Sequence, residues 1–292
     1  MEMKKKYRAF FGLTKEPFAA DIAVKEIMQT AQLAAAQSRF EYATELGAAY
    51  LITGDIGSGK STAIRYLLSA LHPSEYKLLY VTATTGSILE LYRLIMGQLG
   101  MKLAGMSRAV MTSLIKSQVL ELINKKKKAV LVIDEASMLR IEVFAELHTL
   151  CQFEMDCKPY LPLILAGQSS LIDKLMYPGC LALASRVVAK SHFTGADRAQ
   201  MQAYLLHHLS IAGVKSMLFN ETAITAIHQG SGGIFRKANH LARGALIAAA
   251  MQKTKAVTAE HVQVAASEVF KNDLLNFLEW IERTKIWSKM LI

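Results

Sequence analysis

The chain has 292 residues, with 34 Lys and Arg against 24 Asp and Glu, giving a formal net charge of +10 and an isoelectric point near 9.4. Hydrophobic residues make up 52%, which excludes an intrinsically disordered chain and leaves a packed protein of one large domain or a large and a small one. The positive excess points toward an anionic partner such as nucleic acid, nucleotide or a membrane surface.

In chain order, the start MEMKKKYRAFFGL is basic and then apolar. Its apolar part is too short for a signal-peptide core and is interrupted by Thr14, Lys15, Glu16 and Pro17. Ala31 to Glu45 reads as a helix, and Ala48 to Thr53 (AAYLIT) as a buried parallel strand ending at a glycine-bearing turn. A helix over Ala63 to Leu71, a strand over Lys77 to Ala83 and a helix over Ser87 to Leu99 follow. Ser113 to Lys126 is helical and ends in the lysine run 125–128, which reads as a solvated helix end. Ala129 to Ile133 (AVLVI) is a third strand, Ile141 to Phe153 a helix, and Leu161 to Ala166 (LPLILA) a fourth strand.

From about Thr194 onward strand signals disappear. Helices are expected over Ala196 to Ala212, Asn220 to Gln229, Phe235 to Met251 and Ala259 to Trp280, with a glycine break at Gly230, Gly232 and Gly233. The predicted fold is therefore α/β, a doubly wound parallel sheet (residues 1–193), followed by an all-helical domain (194–270) and a tail (271–292). The longest apolar runs, such as Ala245 to Met251, fall far below the roughly 18 residues that span a bilayer. Cys151, Cys157 and Cys180 are an odd set without a CxxC pair, which argues against disulfides, and His148-x2-Cys151-x5-Cys157 lacks the paired clusters of a structural zinc site. A cytoplasmic protein with no membrane partner is expected.

Gly54-Asp55-Ile56-Gly57-Ser58-Gly59-Lys60-Ser61 fits GxxxxGK[ST] in every specified position, between a predicted strand and a predicted helix. Glycines let backbone N–H groups curl around a phosphate, and the helix behind adds its positive end. Lys60 is placed to reach the β- and γ-phosphates and Ser61 to ligate Mg²⁺, with Thr62 next in the loop. Asp134 and Glu135 emerge from the C-terminal end of the third strand, on the edge where open α/β sheets bind ligands. Asp134 suits a Mg²⁺ role and Glu135 the polarisation of an attacking water. Gln168, or its neighbour Ser169, ends the fourth strand where a polar group can hold the lytic water. Arg186 and Arg236 are each an ordinary surface arginine when read alone, or a group that neutralises phosphoryl charge when read with the loop.

The order of phosphate loop, VIDEA, AGQ, SR and GGIFR resembles the AAA+ ATPases, and more narrowly the ExeA-like branch, which is also similar to the transposition regulators TniB, TnsC and the phage Mu B protein. The start YRAFFGLTKEPF (Tyr7 to Phe18) resembles the ExeA-like opening YxxFFGLxxxPF. The resemblance implies an ATPase core with a helical lid, ATP and Mg²⁺ as cofactors, Lys60 and Ser61 as Walker A, Asp134 and Glu135 as Walker B, Gln168 as sensor 1, Arg186 as arginine finger and Arg236 as sensor 2. Secretion-type ExeA proteins continue into a transmembrane segment and a peptidoglycan-binding domain, and Mu B carries an N-terminal helix-turn-helix region. The expectation here is a bare ATPase.

The function this implies is an ATPase that oligomerises as a ring or filament on double-stranded DNA and directs a transposase, with a target-selector protein as a further partner. The alternatives are a secretion-pathway ATPase and a replication-initiator or helicase-loader ATPase. Thr84, Thr85, Ser87, Arg108 and Arg140 are the candidate DNA contacts. The apolar tail Lys271 to Ile292 either packs on the lid or docks a partner.

Overall fold

The structure is a computed structural model that describes residues 2–101 and 105–267, with backbone alone at 2–5. The chain opens with α1 (Glu2–Phe11) and continues α2 (Ala31–Leu46), β1 (Ala49–Gly54), α3 (Lys60–Ser69), β2 (Tyr76–Thr82), α4 (Ile88–Gln98), α5 (Arg108–Asn124), β3 (Lys128–Asp134), α6 (Ile141–Leu150), β4 (Leu163–Gly167), the short α7 (Ser170–Leu175) and α8 (Leu181–Ala184), and β5 (Val187–Phe193). Helices α9 (Arg198–Ile211), α10 (Glu221–Ser231) and α11 (Phe235–Met251) follow, and residues 259–267 are helical. The rest of the predicted helix to Trp280, and the tail 271–292, lie outside the described residues. Gln29–Thr194 form one compact unit, and residues up to Met28 together with those from Gly195 onward form another.

In the first unit all five strands are parallel, in the order β2-β3-β4-β1-β5. β1, β3 and β4 are apolar and buried because helices cover both sheet faces, as the unbroken hydrophobic runs require. Alternation assigns the faces: Leu79, Val81, Leu131, Ile133, Leu163 and Leu165 join the core beneath α4, α5 and α6, while Val132, Asp134 and Tyr80 point the other way. β5 is a strand the sequence reading does not contain. It is an edge strand whose covered residues (Val187, Ala189 and the buried Ser191 and Phe193) alternate with exposed ones, so VVAKSHF lacks an apolar run.

The second unit corrects the placement of the N-terminal segment, which was expected to belong with the α/β domain. Tyr7, Phe11, Leu13 and Phe18 are buried in one cluster with Leu205, Leu209, Phe219, Ile227 and Leu241. Polar ties reinforce this docking: Thr14 N–H donates to Ala212 O (2.8 Å), Arg243 Nε pairs with Glu16 (2.8 Å), and Tyr7 OH donates to the same carboxylate (2.7 Å). Apart from the half-buried Phe10, the apolar residues of the YxxFFGLxxxPF signature are therefore core residues of the helical unit. α9 is started by a capping box, Asp197 with Gln200.

His208 is 3% exposed, stacks on Phe18 and donates from Nδ1 to Pro17 O (2.5 Å). Burial pulls its pKa down to about 4, against about 6.5 in an unfolded chain. The unfolded chain thus binds the extra proton first. Stability from neutral His208 is present above pH 6.5 and is lost as pH falls from there toward 4, to a total of about 3 kcal/mol. Urea midpoints at pH 7 and 4.5 should show this loss, and His208→Gln should flatten it. An equal drop in both proteins contradicts the assignment.

Candidate active site

The phosphate loop leaves β1 at Gly54, where a side chain is impossible because a Cβ would lie 2.3 Å from Phe193 O on β5. Gly59, the residue before α3, has φ +100, a conformation that L side chains rarely adopt. The loop is thereby wrapped around the start of α3, whose first-turn N–H groups lack helical acceptors. Lys60 is 7% exposed and its Nζ donates to Gly54 O (2.9 Å) and Asp55 O (2.8 Å). Ser58 Oγ is buried within the loop and has no hydrogen-bond partner. A buried ammonium among carbonyls, an orphan hydroxyl and a helix N-terminus suit a polyphosphate. Asp55 and Ile56 are exposed on the loop, and Ser61 and Thr62 sit in the first turn of α3.

β4 lies between β1 and β3 in the sheet, so the end carrying Gln168 sits between the phosphate loop and the acidic pair. Asp134 is 5% exposed. Its Oδ1 accepts from the Glu135 N–H (2.9 Å) and its Oδ2 from Tyr80 OH (2.8 Å). Each carboxylate oxygen keeps a lone pair for water on a bound Mg²⁺, so the donor set of Asp134 and Ser61 fits that ion. Burial, and then the hydrogen bond to Asp134, push the Tyr80 hydroxyl up to about 12. Glu135 adopts the left-handed conformation (φ 54, ψ 31) that opens the short turn Ala136–Met138. This turn is pinned from β4 and α7: Gln168 N–H donates to Ser137 Oγ (3.3 Å), and Lys174 Nζ donates to Ser137 O (2.6 Å) and Leu139 O (2.7 Å). Tyr80, Ser137 and Lys174 were not singled out from sequence, because no motif marks them and only strand register and the α7 docking bring them in.

Arg186 lies at the other end of the sheet. Ala49 N–H, at the start of β1, donates to Arg186 O (3.0 Å), whereas the phosphate loop leaves the opposite end of this six-residue strand, roughly 17 Å away at the usual rise per residue. That exceeds the reach of an arginine, so Arg186 cannot touch the loop of its own chain. Its guanidinium is held by Asp156, and its Nε donates to His148 Nδ1 (3.0 Å). Asp156 sits on a left-handed turn, Glu154 to Asp156, whose Met155 is 98% exposed. Pairing with Arg186 holds the Asp156 carboxyl below its ordinary value, while desolvation and then Arg186 depress His148. His148 is thus a partner of arginine, and no cluster of three or more His, Cys, Asp or Glu placed to hold a metal occurs among the described residues. Arg236 is exposed on the first turn of α11, after the Gly232–Gly233 turn.

The candidate DNA residues divide. Thr84, Thr85 and Ser87 form an exposed loop after β2, and Arg140 Nε donates to Thr85 O (3.1 Å), joining that loop to the one after β3. Thr84 Oγ1 donates to Glu90 (2.9 Å). Arg108 stands apart from this loop pair, at the start of α5, in an ion pair with Glu146 (2.7 Å), which offsets its charge.

Residues 45–175 match the family described as AAA domain. General secretion pathway protein A of Aeromonas hydrophila is 30% identical over 267 residues, or 90% of this chain and 48% of that protein, so the chain spans about half the length of this relative. Among solved structures, Cdc6p from Pyrobaculum aerophilum is similar with a TM-score of 0.70 at 17% identity, over 87% of this chain and 70% of that one. The Aeropyrum pernix ORC1 protein in complex with DNA gives 0.65 at 18%, over 87% and 68%. At such identities the two structures speak for the fold alone. Sheet order, phosphate loop and acidic pair agree with the family match: the first unit has the P-loop α/β fold of the AAA+ ATPases, and residues 45–175 are similar to the AAA domain.

Proposed function

We propose that the protein is an ATP-dependent DNA-binding ATPase that assembles on duplex DNA as a ring or filament, directs a transposase to target sites, and disassembles on hydrolysis. Lys60 and the α3 N-terminus bind the phosphates, and Asp134 with Ser61 holds Mg²⁺, which neutralises charge on the phosphoryl oxygens. Glu135 takes the proton of the attacking water and Gln168 orients it. Arg236 is the sensor 2 residue that the resemblance implies. A neighbouring copy supplies Arg186, since that residue cannot reach its own loop. The exposed Met176 (66%), Tyr177 (54%), Leu181 (49%) and Val188 (43%) lie within about ten residues of Arg186 in sequence and suit an apolar contact between copies.

The observation that carries the DNA reading is the joined loop pair of Thr84, Thr85, Ser87 and Arg140, exposed on the ligand-binding edge of a sheet in a chain of net charge +10. Backbone contacts of that kind give salt-dependent, sequence-independent affinity. Fluorescence anisotropy on unrelated duplexes with a non-hydrolysable ATP analogue should show Arg140→Ala weakening all of them several-fold and reducing the log K against log salt slope by about 1. Unchanged affinity and slope remove Arg140 from the interface.

The similarity to general secretion pathway protein A favours a second reading, an ATPase of secretion machinery. That reading predicts no coupling between nucleotide state and DNA.

A further inference from the structure

Asp134 is gripped from two sides by unlike donors. The Glu135 N–H is a backbone group fixed by the turn after β3. The Tyr80 hydroxyl comes from the neighbouring strand β2. Pairing sets Thr82 opposite Asp134 and Tyr80 opposite Val132, so Tyr80 lies diagonally one side-chain step back on the same sheet face as the carboxylate. Tyr80 is half-buried, on the edge strand of the sheet, and its hydroxyl is engaged by Asp134 Oδ2 at 2.8 Å. On the opposite face the neighbouring β2 residues, Leu79 and Val81, are plain core residues.

We infer that Tyr80 is a positioning residue for the metal half of the nucleotide site. Its hydroxyl fixes the rotamer of Asp134 and occupies one lone pair of Oδ2, leaving the remaining lone pairs available to the Mg²⁺ that would accompany ATP. Partners of this kind orient a metal-binding carboxylate, and removing them commonly costs about 10- to 100-fold in metal affinity. The inference rests on the ATPase reading of the same site. Its opposite is that the hydroxyl merely fills the place of the metal's water. The two differ in sign: a support strengthens Mg²⁺ binding and a competitor weakens it.

Tyr80→Phe keeps the ring and removes one oxygen, so the fold is not at stake, and thermal unfolding checks that point. The experiment titrates Mg²⁺ into the full chain with a fluorescent ATP analogue and follows binding, with a parallel arm in EDTA. The expected result is a rise of about tenfold in the Mg²⁺ concentration at half-saturation, with EDTA binding unchanged. An unmoved or lowered Mg²⁺ requirement overturns the role of Tyr80, as does an equal loss in both arms. Failure of the wild-type chain to bind the analogue at all would instead overturn the ATPase reading and this inference with it.

Discussion

Glu135→Gln is expected to lower steady-state ATP hydrolysis by 10²-fold or more while leaving ATP affinity within a few-fold of the parent. The loss follows from the chemistry, since an amide of the same shape accepts no proton from the attacking water, and positioned bases contribute about 10²- to 10⁴-fold. Retained binding follows from the structure. The left-handed backbone of Glu135 is tied through its own N–H to Asp134 Oδ1 and by Lys174 to the turn beyond it, and none of these bonds uses the carboxylate that changes. Phosphate release and binding of a fluorescent ATP analogue, measured side by side, separate the two effects. A rate within threefold of the parent means that another group activates the water. In the proposed cycle the variant also persists on DNA as the ATP-bound assembly.

Phe18→Ala is expected to destabilise the helical unit by about 3–5 kcal/mol, the usual cost of deleting a fully buried aromatic. Phe18 is 1% exposed, stacks on His208 with ring centroids 5.6 Å apart and meets Phe219 edge-on at 6.1 Å. Its carbonyl is also the acceptor of Arg243 Nη2 (2.5 Å), so losing the ring loosens the anchor of the whole N-terminal segment. Phe10→Ala is the control: Phe10 is half-buried under Lys255 Nζ, 4.1 Å from the ring centroid, and its loss should cost about 1 kcal/mol. Denaturant unfolding of both variants checks the difference. Equal, small effects would mean that the signature segment is not part of the core of this unit.

Phe18 also marks where legibility in the sequence stops. The signature at Tyr7 to Phe18 is plain as a pattern, yet its destination is set by partners such as Ala212 and Arg243, some two hundred residues away, which no local rule connects. β1, β3 and β4 are legible because strands covered on both faces must be continuously apolar. β5 is not, because one side of an edge strand tolerates Lys190 and His192. At the site, Lys60, Ser61 and Asp134 are readable because their chemistry demands fixed spacing beside a strand. Tyr80 depends on the register of β2 against β3, and the neutralisation of Arg108 on the meeting of α5 with Glu146. Arg186 shows the mixture: its motif is visible, but its distance from its own loop and its grip by Asp156 and His148 are not.

That distance makes the central claim a claim about assembly on DNA. The most direct test images the wild-type protein by electron microscopy with duplex DNA, once with a non-hydrolysable ATP analogue and once with ADP. Ordered rings or filaments along the DNA are expected with the analogue and none with ADP. Isolated single chains under both conditions, or DNA coverage indifferent to the nucleotide, would contradict it.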